Sequence, residues 1–121
     1  MNKRVLIVDD DVSMLSYVAL IAASYGPYEI DVASSGDEAL AKIASQHFDL
    51  VITDLRMPGM NGLELMEQVR SRCPHTSLIM MTAHSDAKTA KKAFDMGAYE
   101  VLVKPFSKQR LLIAMVGALA L

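Results

Sequence analysis

The chain has 121 residues, 52% of them hydrophobic, and a formal net charge of −2, which suits one domain over residues 1–121 and gives no electrostatic support for nucleic-acid binding by it. Its single cysteine, Cys73, excludes a disulfide framework and fits the cytoplasm. The first apolar run is too short for a signal peptide, and no run approaches the roughly 20 residues of a membrane span.

Short aliphatic runs alternate with helical patterns along the chain. The predicted strands are Val5–Val8, Ile30–Ala33, Leu50–Thr53, Leu78–Met81 and Val101–Val103. Their continuous apolar character is typical of strands buried on both faces. The first helix is expected from about Val12 to Tyr25, and the others should begin at Ser35, at Asn61, at Ser85 or Asp86, and at Ser107.

Five strands alternating with five helices predict an α/β domain built on a doubly wound parallel sheet. Ser35 and Asn61 each have a glutamate three residues later, which is the sequence pattern of a capping box. Spacing alone leaves the strand order open. The order 2-1-3-4-5 is one of the two common arrangements.

Polar side chains follow four of the predicted strands. Asp9 and Asp10 follow the first strand, Asp54 the third, Thr82 the fourth and Lys104 the fifth. In the order 2-1-3-4-5 these four strands are neighbours, and the carboxyl ends of parallel strands meet at one edge of the sheet. The sequence therefore predicts a chemical site of three acids, one hydroxyl and one lysine.

The residue types at this edge indicate phosphoryl transfer. Carboxylate oxygens without histidine or cysteine at metal spacing favour Mg²⁺, with Mn²⁺ as the second choice, and argue against zinc. Mg²⁺ beside a lysine and a hydroxyl is a combination of groups typical of sites that catalyse phosphoryl transfer. The chain has no serine elbow and no glycine-rich nucleotide loop, so Asp54 is the best candidate nucleophile.

Four segments in order, "VLIVDDD", "DLVITDLRMPGMNGLEL", "MMTAH" and "GAYEVLVKPF", resemble the receiver domain of bacterial two-component response regulators. The resemblance implies a flavodoxin-like fold with five helices and the strand order 2-1-3-4-5. It implies that Asp54 accepts a phosphoryl group from a sensor histidine kinase or phosphotransfer protein, and that Mg²⁺ binds to Asp9, Asp10, Asp54 and the backbone carbonyl of Arg56.

The same resemblance assigns the remaining motif residues. Thr82 would hydrogen-bond a phosphoryl oxygen, Lys104 would pair with the phosphoryl charge, and the Lys104–Pro105 peptide would be cis. Asp11, the third acid of the first motif, is then the cap of the first helix. Arg56 and His84 would flank the phosphoryl group and control the access of water.

One position departs from the family pattern. The residue three before the lysine is usually Tyr or Phe in receivers, and here it is Val101. Phosphorylation itself would be unaffected. In receivers, however, the aromatic ring at this position moves together with the threonine on phosphorylation, and that response is put in doubt here. Strand alternation predicts Tyr99 on the same side as Val101 and Val103, where it could partly substitute.

Single residues argue against two other classes of function. A small phosphohydrolase with an aspartate nucleophile typically carries a second acid two residues later, where this chain has Arg56. A pseudo-receiver that only binds proteins commonly lacks the lysine or the acceptor, and both are present. The chain could also be the receiver of a longer regulator with a DNA-binding output domain.

The last helix is unusually apolar. Residues 111–121 read "LLIAMVGALAL", without a charge or a hydroxyl. Spacing predicts that Leu111, Met115 and Leu119 cover the sheet, which leaves Ile113 and Val116 exposed. We expect this helix to form a homodimer or to dock on a downstream output domain, favoured by phosphorylation. The alternative is that the helix continues beyond the given sequence.

Overall fold

The structure of the chain, a computed structural model, describes residues 2–83 and 87–120. Five strands and five helices alternate along these residues. The strands are β1 (Arg4–Val8), β2 (Glu29–Ala33), β3 (Leu50–Asp54), β4 (Ser77–Thr82) and β5 (Glu100–Val103). The helices are α1 (Val12–Tyr25), α2 (Gly36–Ser45), α3 (Gly62–Arg72), α4 (Ala87–Asp95) and α5 (Lys108–Leu119).

The five strands form one parallel sheet in the order β2-β1-β3-β4-β5, which confirms the predicted fold class and strand order. The register sets the carboxyl edge. Val8 pairs with Thr53, so the residues that follow each, Asp9 and Asp54, come level with one another. On the other side of β3, Asp54 pairs with Met81, and Thr82 pairs with Val103.

Two apolar cores lie on opposite faces of the sheet. Helices α1 and α5 pack on one face, while α2, α3 and α4 pack on the other. The inner strands β1, β3 and β4 are almost wholly buried, as their continuous apolar runs predict. The same expectation fails for β2 and β5, because edge strands are covered less completely and several of their residues reach solvent.

The predicted helix caps are largely observed. Ser35 accepts a hydrogen bond from the amide of Glu38 at 3.1 Å, but the Glu38 carboxylate turns to Ser34, so this capping box is only half formed. Asn61 and Glu64 form a complete box. Ser107 caps α5. The predicted start of α4 at Ser85 or Asp86 lies outside the described residues.

No helix within the described ranges has the length and apolarity needed to cross a membrane. The longest, α1, has 14 residues. A span of the hydrocarbon core needs about 20.

Candidate functional site

Three carboxylates meet at the carboxyl edge of the sheet. Asp9 follows β1 and is 1% exposed, and Asp54 ends the central strand β3 and is 8% exposed. Asp10 is exposed to solvent. One carboxylate oxygen from each lies within 4.8 Å of the others. The structure thus brings together the three acids that the sequence predicted to converge.

Lys104 binds two of these acids at once. Its Nζ lies 3.1 Å from Oδ2 of Asp9 and 3.0 Å from Oδ1 of Asp54. The backbone directs it there, since the amide of Lys104 donates to the carbonyl of Thr82 at 2.7 Å and so continues the pairing of β5 with β4. One ammonium group is therefore shared between two buried carboxylates.

Asp9 and Asp11 also hold the start of α1. The second carboxylate oxygen of Asp9, Oδ1, accepts a hydrogen bond from the amide of Asp11 at 3.0 Å. Asp11 in turn accepts from the amides of Ser13 and Met14, at 2.9 and 3.4 Å, and is the N-cap of the helix. This confirms the predicted role of the third acid, since a side-chain oxygen here satisfies amides that have no partner within the helix.

Two factors shift the pKa values of Asp54 and Lys104: their burial, and the presence of more acids than cations in the cluster. Burial raises the pKa of Asp54 and the charge of Asp9 adds to this, while the hydrogen bond from Lys104 opposes it. For Lys104, burial lowers the pKa, but hydrogen bonds and charges of Asp54 and then Asp9 outweigh it and raise the pKa. Lys104 is thus a cation at neutral pH, and the cluster carries more negative than positive charge.

This arrangement fits a small divalent cation. The three acids offer hard oxygen donors, which Mg²⁺ prefers over nitrogen or sulfur ligands. The single shared ammonium leaves negative charge uncompensated, and Asp10 gives the cluster access to water. A bound divalent cation would relieve the repulsion among the acids.

Thr82 is the last residue of β4 and is 5% exposed. The register sets it one residue beyond Met81, the partner of Asp54 in the neighbouring strand. Its carbonyl accepts the hydrogen bond from the amide of Lys104. The hydroxyl-bearing residue and the lysine are therefore joined through the backbone at the same edge as the acids.

The arrangement of these residues agrees with the comparison with known families. The model of the response regulator receiver domain matches residues 5–116. The chain belongs to this family. Receiver domains generally bind Mg²⁺, in keeping with the acidic cluster.

Relatives of this receiver domain include transcriptional regulators. The chain is 39% identical to the DNA-binding transcriptional regulator NtrC of Salmonella typhimurium over 106 residues, covering 88% of the chain and 23% of the relative. It is 34% identical to the transcriptional regulatory protein ZraR of Klebsiella oxytoca over 116 residues, covering 96% of the chain and 26% of the relative. The chain spans about a quarter of the length of these relatives.

Solved structures show the same fold. The chemotaxis response regulator CheY4 of Vibrio cholerae matches with a TM-score of 0.89 at 34% identity, over 98% of this chain and 99% of that one. NtrX of Brucella abortus, solved with ADP, matches with a TM-score of 0.92 at 33% identity, over 99% of this chain and 27% of that one.

Of three predictions around the receiver site, the first is confirmed, the role of Arg56 stays a prediction, and the third is wrong. The Lys104–Pro105 peptide is cis, as the resemblance implied. Arg56 is exposed and lines a cleft of about 580 Å³ beside the loop that follows Asp54. The prediction for Tyr99 is wrong, because its hydroxyl lies against Gly117 of α5, whereas Val101 packs in the core on the other face of the sheet.

Gly62 is a residue of the site that the sequence did not reveal. A Cβ atom on Gly62 would collide with the carbonyl oxygen of Asp54 and would lie 2.9 Å from Cα of Leu55. The amide of Gly62 also donates to the carbonyl of Leu55 at 2.8 Å. The start of α3 thus rests directly on the backbone of the candidate acceptor.

Proposed function

We propose that this receiver domain is a phosphorylation-controlled switch in which Asp54 accepts a phosphoryl group from a phosphohistidine of a sensor histidine kinase or phosphotransfer protein. The observation that carries this proposal is the buried Asp54 carboxylate, held 3.0 Å from Nζ of Lys104 beside Asp9 and Asp10. Phosphoryl transfer is catalysed mainly by positioning the nucleophile and by neutralising charge on the phosphoryl oxygens.

The transfer is a displacement at phosphorus. A carboxylate oxygen of Asp54 forms the new oxygen–phosphorus bond, and the phosphorus–nitrogen bond of the donor breaks with its electron pair remaining on the imidazole. Lys104 can exchange its contact with Asp54 for the arriving phosphoryl oxygens without leaving Asp9. The Thr82 hydroxyl can donate to one of those oxygens from the end of β4.

When bound by Asp9, Asp10, Asp54 and the backbone carbonyl of Arg56, Mg²⁺, or Mn²⁺ in its place, would neutralise charge on the phosphoryl oxygens. The chain would catalyse only its own phosphorylation and the later hydrolysis of its acyl phosphate. It is a signalling domain in this view, and we place its action in the cytoplasm, where donor kinases present their phosphohistidine.

Incubation with acetyl phosphate and Mg²⁺ is expected to raise the intact mass of the chain by one phosphoryl group. A chelator should prevent the increase, and restored Mg²⁺ should recover it, because the clustered acids need a cation before another anion can approach. Intact-mass spectrometry provides the measurement. Continuous turnover of a phosphate ester, without a lasting mass increase, would favour the phosphohydrolase instead.

Arg56 is expected to control how long the phosphoryl group persists. Its exposed side chain lines the cleft beside the Asp54 loop, where it can obstruct water. Arg56→Ala should change the hydrolysis rate of the acyl phosphate several-fold without preventing its formation. The matched control is Arg72→Ala, because Arg72 is an exposed arginine in the last turn of α3. Equal decay of both variants would show that Arg56 has no kinetic role.

His84, the second predicted flanking residue, lies outside the described residues.

We further propose that the domain works as part of a longer regulator. The support is its coverage of about a quarter of two relatives whose names describe transcriptional regulators. Such a regulator would carry its DNA-binding output outside the receiver. An immunoblot of the native host with an antibody to this domain would test this, because a band at the mass of the receiver alone would contradict it.

A further inference from the structure

Strand β2 lies at the edge of the sheet, so one of its long sides has no neighbouring strand in the part of the chain that the structure describes. On its other side β2 pairs with β1, and the amide of Glu29 donates to the carbonyl of Lys3 at 2.9 Å. Backbone groups point alternately to the two sides of a strand, so the amides and carbonyls of Ile30 and Val32 point away from β1. An unpaired row of this kind is a template to which another strand can bind.

Side chains occupy both outward backbone groups of Val32. Its amide donates to Oδ1 of Asp31 at 2.8 Å, and its carbonyl accepts a hydrogen bond from Nζ of Lys42 at 2.6 Å. The same Nζ lies 2.8 Å from Oδ1 of Asp31, so the peptide edge and the two side chains form a closed ring. Lys42 belongs to α2, which therefore binds the open side of the strand that precedes it.

The backbone beyond Val32 is closed by the same helix. The amide of Ser34 donates to Oε2 of Glu38 at 3.2 Å. Glu38 lies one turn before Lys42 in α2, and its Oε1 is 4.0 Å from Nζ of Lys42. Among the described residues, only the outward groups of Ile30 in β2 have no such partner.

The ring around Val32 is ionic. The hydrogen bond from Lys42 lowers the pKa of Asp31 and outweighs the opposing effect of burial, so Asp31 is a carboxylate at neutral pH. The two side chains are 28% and 35% exposed, and water therefore screens the pair only in part. Hydrogen bonds to charged groups are stronger than those between neutral groups. An incoming strand offers only neutral amides and carbonyls, so it would replace stronger bonds with weaker ones.

We propose that the Asp31–Lys42 pair closes the edge of β2 to strand addition and so prevents a second copy of this chain from extending the sheet there. A strand that approached this edge would find free backbone groups only at Ile30. A lysine on an edge strand is a common protection against such pairing, and here α2 supplies the lysine from outside the strand. The edge is thereby also closed to partners that bind by adding a strand.

Amide hydrogen exchange, followed by NMR for each residue of the full chain, tests the closure in the wild type. After correction for intrinsic rates, Val32 should exchange several-fold more slowly than Ile30, because only the amide of Val32 has an acceptor. Asp31→Ala should remove this difference. Asp31→Asn keeps an acceptor oxygen and should retain most of it. Equal exchange at Val32 and Ile30 in the wild type would overturn the proposal.

Sedimentation of the full chain tests the consequence for association. A variant that combines Asp31→Ala with Lys42→Met lacks the pair and should self-associate several-fold more tightly than the wild type. The matched control combines Asp95→Ala with Lys91→Met, which removes an ion pair of 3.0 Å within α4 and changes the charge equally. Any pairing through α5 would be common to all three proteins and does not affect the comparison. Association no tighter than that of the control would overturn the proposal.

Ile30→Pro, added to the variant without the pair, tests where the copies meet. Proline removes the remaining outward amide of β2 but no hydrogen bond to β1, so it should return association to the level of the wild type. Tight association that persists would show contact at another surface and would overturn the proposal. Circular dichroism establishes that each variant is folded. If the variant without the pair unfolds, the exchange rates of the wild type still decide.

Discussion

Asp54→Asn is expected to abolish phosphoryl uptake from acetyl phosphate in the presence of Mg²⁺. The amide keeps the size of the side chain at the end of β3 but removes the anionic nucleophile. Intact-mass spectrometry should then show the unmodified chain under conditions that label the wild type. Asp10→Asn is the matched control, because it removes one acid of the same cluster but leaves the proposed acceptor. We expect it to be labelled, more slowly. A label of comparable yield on another residue of Asp54→Asn would refute the assignment.

The same variant should unfold at a higher urea concentration than the wild type near neutral pH, with a chelator present. Burial raises the pKa of Asp54 above its ordinary value of 3.8, so the folded state holds a proton on Asp54 more tightly than the unfolded state does. Ionised Asp54 therefore costs stability at every pH above its folded pKa, and asparagine avoids that cost. The difference between the two proteins should shrink as the pH falls through the folded pKa. A wild type that is the more stable at neutral pH would contradict this sign.

Gly62→Ala is expected to lower both the stability of the domain and its rate of phosphorylation. The new Cβ would press on the carbonyl of Asp54 and on Cα of Leu55, and backbone cannot rotate away as a side chain can. Overpacking of this kind costs about 1–3 kcal/mol in the free energy of unfolding. The displaced Asp54 should also accept phosphoryl groups about tenfold more slowly or worse, because small misplacements of reacting groups cost rate steeply.

Gly36→Ala is the matched control for this prediction. Gly36 and Gly62 are both the first residue of a helix, and a Cβ at either would meet neighbouring atoms at close range. At Gly36 those atoms belong to Met60, including its Cβ at 2.9 Å, and none belongs to the backbone of the candidate acceptor. Gly36→Ala should therefore also lose stability in urea but should keep a labelling rate close to that of the wild type. Equal losses of labelling rate in both variants would show that the contact with the backbone of Asp54 is not the cause.

Local features of the fold could be predicted because their causes lie within a few residues. The cap of α1 needs only Asp11 and the next amides, and the inner strands follow from their continuous apolar runs. The convergence of Asp9 with Lys104 has no local signal. It followed from the rule that parallel strands share a carboxyl edge, together with the choice of strand order.

The features that sequence analysis missed depend on where a chain segment ends or what packs against it. Tyr99 was assigned a side by strand alternation, but β5 begins at Glu100, so the rule did not apply to it. The close approach of Gly62 to Asp54 depends on the packing of α3 against the end of β3, which no local pattern specifies. The exposure of β2 follows from its place at the edge of the sheet, which its own apolar run does not reveal but the strand order does.

The ion pair between Lys104 and Asp9 spans 95 positions of the chain. During synthesis, the ribosome releases the acids that follow β1 and the acid that ends β3 long before it releases the lysine that follows β5. Amino-terminal parts of a chain can begin to fold in this interval, but the acids then have no ammonium beside them. Under the proposed function, an unfinished chain has an incomplete acceptor site. Nascent and truncated molecules would therefore not be phosphorylated by the kinase. Only finished domains would compete for its phosphoryl groups.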